Sequence, residues 1–146
     1  MKGEKIYDYE IDITGVTDYG LTMEAVLSGQ VPIPPQGVRI DVAFAGRASG
    51  RMAGQVRGVD YLRMRADGRI DLDIRASIET DAGHRIALSA DGVAVPRPGS
   101  SVVDLSENVT LSTAVQEYAW VNGRQVWGVG TVDLATGRIR IEGYMQ

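Results

Sequence analysis

The chain has 146 residues, 44% of them hydrophobic and 23% charged, with a net charge of -4. That is enough for one domain with a substantial core, and the acidic balance argues against a nucleic-acid partner. Cysteine is absent and histidine occurs once, as His84, which excludes disulfides, thiol nucleophiles and any multi-histidine metal site.

The alternation of apolar residues predicts strands at 4–14, 20–28, 37–47, 51–57, 59–65, 69–80, 84–94, 109–121, 124–134 and 138–145, with scarcely any helix. In the first strand Tyr7, Tyr9, Ile11 and Ile13 share inward parity, which places two hydroxyls near the interior. Val31-Pro32-Ile33-Pro34-Pro35 reads as an extended connector, since proline cannot donate to a ladder. Pro96-Arg97-Pro98-Gly99 opens a long irregular segment, within which Asp104-Leu105-Ser106-Glu107 has the spacing of a helix-capping turn. No apolar run reaches the roughly 20 residues of a membrane span. Without an apolar leader after Met1, the expected compartment is the cytoplasm.

Turn chemistry fixes the register. At Arg65-Ala66-Asp67-Gly68-Arg69, a three-residue loop with Gly68 left-handed pairs Met64 with Ile70 and sets Arg63 against Asp71. A two-residue loop would mix apolar and charged groups on one face. Gly83 in the same role pairs Ile78 with Ile86, Ala76 with Leu88 and Ile74 with Ala90, and Gly50 would pair Val42 with Val56. Asn122-Gly123 predicts a hairpin pairing Tyr118 with Trp127. The turn at Gly137 would then leave a second apolar face carrying Val126, Val132 and Leu134. A second apolar face calls for a partner surface, so a homo-oligomer, with a dimer favoured, is expected. Successive antiparallel strands with one apolar face and little helix to cover it must curl on themselves. The fold expected is all-β, an antiparallel meander closing into a small single-domain β-barrel that leaves no open edges.

Gly54-Gln55-Val56-Arg57-Gly58-Val59-Asp60-Tyr61, Arg65-Ala66-Asp67-Gly68, Leu72-Asp73-Ile74-Arg75 and Glu79-Thr80-Asp81-Ala82-Gly83 follow in order. Together with Glu117-Tyr118-Ala119-Trp120-Val121-Asn122 and Gly128-Val129-Gly130, they resemble the domain-of-unknown-function 3237 family. The resemblance implies a small antiparallel β-barrel. It assigns no catalytic roles and directs attention to Asp60 and Arg75.

Asp60 is the one acid on the inward face of the central strands, across from Ile74. A carboxylate there loses water and gains a raised pKa, as suits a general acid or base. Its other reading is a turn residue that bonds backbone N–H groups beside Gly58. His84 lies too far along the ladder to touch it and is expected at the rim. Arg75 has outward parity, and only a bulge would turn it toward Asp60. Phe44, Met64, Tyr118, Trp120 and Trp127 offer walls for a flat apolar ligand, with Arg75 as a polar contact. Asp71 and Asp73 share a face with arginines and read as a surface charge ladder, so no metal is expected. These residues point to a small apolar or phenolic molecule in the barrel, handled without cofactor or metal. The two functions that fit are isomerase, cyclase or lyase chemistry centred on Asp60, and carriage without turnover.

Overall fold

A computed structural model describes residues 1–146. Eight antiparallel strands form a closed barrel in which each strand pairs with its sequence neighbours and the last returns to the first. They are β1 (Glu4–Asp18), β2 (Val38–Gly50), β3 (Gly54–Met64), β4 (Ile70–Thr80), β5 (Arg85–Pro96), β6 (Val102–Ser112), β7 (Gln125–Asp133) and β8 (Arg138–Met145). One short helix, α1 (Met23–Leu27), joins β1 to β2, and a 3-10 helix, Gln116–Val121, joins β6 to β7. No helix is long and apolar enough to cross a membrane. Inward side chains of every strand meet in one core, while the outer face carries ion pairs such as Arg69–Asp71 at 2.7 Å and Arg138–Asp12 at 2.9 Å.

The Gly68 and Gly83 turns close as three-residue loops, with φ of +90° and +87°. Each is held by a 2.8 Å bond across its mouth, Arg65 N–H to Arg69 O and Thr80 N–H to His84 O. The resulting pairs include Met64 with Ile70, Arg63 with Asp71, Asp60 with Ile74 and Ile78 with Ile86.

Elsewhere the ladder departs from the local pattern. Residues 51–57 and 59–65 belong to a single strand, β3. The β2–β3 register is displaced, so Val42 faces Asp60 and Gly46 faces Val56. Ser49 and Gly50 continue the ladder with β1 instead of turning, and Met52, wholly buried, plugs the barrel end beyond them. The segment at 20–28 is a capped helical turn, because the Thr22 hydroxyl accepts the Ala25 N–H at 3.1 Å and Val26 buries against the core. The expected irregular segment and helical turn at 104–107 are strand: Val103, Leu105, Glu107, Val109 and Leu111 alternate inward along β6. The Asn122-Gly123 hairpin does not form. Asn122 instead ties down the connection by bonding Thr113 N–H and O, at 3.0 and 2.8 Å, and Trp127 faces Asn108. The β7–β8 loop has four residues, so Val132 faces Ile139, and Val126, Val132 and Ile141 all turn inward. The apolar face that was to require a partner is therefore the interior of the barrel itself.

Candidate functional site

In an up-and-down barrel the connections alternate between the two ends. The end carrying the 3-10 helix is plugged by Val121 and Met52, both fully buried. At the opposite end, beneath α1, the side chains leave a cavity of about 90 Å³. One water needs only about 10–15 Å³ on such a measure, so a small ring has room here. Met23 and Leu27 of α1 and Leu134 of the β7–β8 loop form its lip. Leu27 and Leu134 are also 37% and 36% exposed, so the cavity reaches the surface there.

All eight strands contribute to the wall, and every lining residue is apolar or aromatic except Asp60 and Glu107. Asp60 projects from β3, where the ladder with β4 opens beyond the Asp60–Ile74 pair. Its Oδ1 accepts the Asp73 N–H at 3.0 Å, so the turn-type backbone bond and the inward position hold together. Burial raises its pKa to about 6; the Asp73 N–H bond opposes the rise and the Asp73 charge adds to it.

Glu107 projects from β6, three strands round the barrel from Asp60 by the shorter way. It is 9% exposed, and its pKa is pushed up to about 7 by burial and then by the charge of Asp60. Room for its carboxyl comes from a missing side chain: a β-carbon at Gly128, directly opposite on β7, would lie 3.1 Å from Glu107 Oε1. Gly128 in turn faces Gly143 on β8, and Gly143 faces Tyr7 on β1. A β-carbon at Gly143 would overlap the Tyr7 ring. Glu107 and Tyr7 thus lean toward each other across a trough two glycines wide. Tyr9 stacks on Tyr7 with ring centroids 4.4 Å apart. Both tyrosine hydroxyls are buried without a hydrogen-bond partner. Their pKa values are raised chiefly by burial, that of Tyr9 next by the adjoining Tyr7 hydroxyl, and both by the Glu107 charge.

Of the residues named from the sequence, Asp60, Phe44 and Met64 line the cavity. Four do not. Arg75 points outward, 66% exposed, beside Asp73 at 3.6 Å, because β4 has no bulge to turn it. Trp127 lies on the outer face of β7, 39% exposed. Tyr118 and Trp120 sit in the 3-10 helix at the plugged end, where the Arg51 guanidinium lies 3.8 Å over the Trp120 ring. His84 is at that rim too, its Nε2 3.7 Å from Glu117. Glu107 was overlooked, although the strict alternation from Val103 to Leu111 places it inward with the same force that placed Asp60.

The ordered motifs and the barrel they build are those of a known sequence family. Residues 17–145 match its model, described as "Protein of unknown function (DUF3237)". The chain belongs to the DUF3237 family. No curated protein matches it. Among solved structures, this DUF3237 barrel is similar to a protein of unknown function from Clostridium acetobutylicum (TM-score 0.78, 21% identity, covering 100% of this chain and 99% of that one). It is also similar to a β-barrel-like protein from Acinetobacter baumannii (TM-score 0.72, 18% identity, 99% and 94%). A third similar structure is described as an enzyme from Penicillium herquei (TM-score 0.59, 16% identity, 100% and 98%).

Proposed function

We propose that this DUF3237 protein is a cofactor-free isomerase, cyclase or lyase acting on a small apolar or phenolic molecule held in the barrel. The observation that carries the reading is the pairing of Asp60 and Glu107 as the sole carboxyls in an otherwise apolar cavity. Burial raises both carboxyls toward neutrality, and Asp60 alone has a backbone N–H that favours its ionised form, so Asp60 is the readier base and Glu107 the readier acid. One wall then offers a base and another an acid, the division of labour that proton-transfer catalysis needs. Asp60 removes a proton from one atom of the substrate and Glu107 delivers one to another. The sum is a rearrangement or elimination with no electrons left over. Hydrolysis fits less well, since no serine, cysteine or histidine lines the cavity to supply an activated nucleophile. The enzyme from Penicillium herquei lends support at the level of fold alone.

The test begins with native and denatured mass spectra of freshly purified protein, which identify a retained small molecule. With that compound and its close analogues, Asp60→Asn is expected to lower turnover about 100-fold or more while binding persists. Full turnover by Asp60→Asn refutes the catalytic assignment. A ligand bound and released unchanged by wild type and variant alike makes the protein a carrier.

A further inference from the structure

Buried polar groups in folded proteins are nearly always hydrogen-bonded, and one left unsatisfied costs about 1–3 kcal/mol. Two such groups, with a buried carboxyl beside them, gather at one corner of this cavity, where Tyr9 and Glu107 belong to the wall and Tyr7 stacks behind Tyr9. The Tyr7 and Tyr9 hydroxyls have no partner. Burial and the Asp60 charge are what perturb Glu107, with no hydrogen bond to relieve it. The trough at Gly128 and Gly143 brings Glu107 and Tyr7 toward each other, and the stacked ring adds Tyr9. Asp60, by contrast, is on a distant strand with its own backbone donor.

We propose that this corner is an oxygen-holding site. The molecule bound in the barrel is an aromatic or enone ring bearing a phenolic hydroxyl or carbonyl oxygen, and that oxygen docks between Glu107 and Tyr9, with Tyr7 stacked behind. A hydroxyl both donates and accepts, and so do a tyrosine and a protonated carboxyl, so one oxygen can bond both Tyr9 and Glu107. The apolar body of the ring then lies against Met64 and Leu105, toward the α1 lip, with Asp60 facing it from the opposite wall. The assignment rests on the cavity-binding reading given above and adds the polarity and orientation of what binds.

Matched probes test it: 4-methylphenol and toluene, which differ by one hydroxyl, titrated into the wild-type protein and followed by protein NMR shifts. The phenol is expected to bind about tenfold or more tightly than toluene, the factor one hydrogen bond to an unsatisfied buried group supplies. Tyr9→Phe and Glu107→Gln, which keep ring and shape, are each expected to cut that preference several-fold, whereas Arg75→Ala, on the outer face, leaves it within about twofold. Equal affinity for the two probes in the wild type overturns the oxygen site and leaves the apolar cavity reading standing. A preference untouched by both Tyr9→Phe and Glu107→Gln overturns it as well. Binding of neither probe overturns both readings.

Discussion

Replacing Glu107 by glutamine keeps the shape of the side chain and removes its charge, so the variant isolates what that charge costs the fold. The carboxyl titrates near 4.5 in the unfolded chain and near 7 in the barrel. Below 4.5 it is neutral in both states and costs nothing. Between the two values the unfolded chain releases the proton while the barrel holds it, so stability falls as pH rises. At about 1.4 kcal/mol per pH unit, the span from 4.5 to about 7 amounts to about 3 kcal/mol, fully developed above pH 7. With a urea slope of about 2 kcal/mol/M, that is a midpoint difference of about 1.5 M. Urea unfolding of wild type and Glu107→Gln at pH 5 and pH 8 reads it directly. The variant should gain on the wild type by most of that amount between the two pH values. Any fixed cost of the amide cancels in the comparison. A gap that stays constant from pH 5 to pH 8 refutes the placement of Glu107 as a desolvated acid.

The glycine trough makes a second prediction. Gly143→Ala sets a methyl group into the Tyr7 ring and should cost about 3 kcal/mol in urea unfolding, whereas Gly128→Ala, meeting Glu107 and Val109 at 3.1–3.3 Å, should cost about 1 kcal/mol. The outer face makes a third. Arg75→Ala should leave stability within about 0.5 kcal/mol of wild type and the affinity for 4-methylphenol unchanged, because its guanidinium is in solvent beside Asp73.

The barrel was legible where turn chemistry and alternation spoke together. Gly68 and Gly83 each required a left-handed residue at a three-residue loop, and that requirement fixed the register that aims Asp60 inward. Where a distant contact decided the path, local pattern failed. Met52 widens the β2–β3 loop by reaching the core, and Asn122 is spent on Thr113 instead of on a hairpin. Glu107 was hidden by a competing local signal, since Asp104 and Glu107 carry capping-box spacing although they lie in a strand. The aromatic residues misled for another reason. Tyr118, Trp120 and Trp127 look like ligand walls by size, but helical structure and strand parity send them to the plugged end and the outer surface.

The ring order has a consequence for how the chain reaches its shape. Seven of the eight ladders join strands consecutive in sequence, and only the seam between β1 and β8 joins the two ends of the chain. Apart from the longer β1–β2 and β6–β7 connections, the consecutive hairpins close short loops at little entropic cost, so they can assemble in sequence. The seam waits for all of them. Until it zips, β1 and β8 each present a free edge of unpaired N–H and C=O groups, the surface through which sheets from separate molecules join. The interval before the seam closes, more than the strength of the finished core, sets how long a newly made chain is open to aggregation.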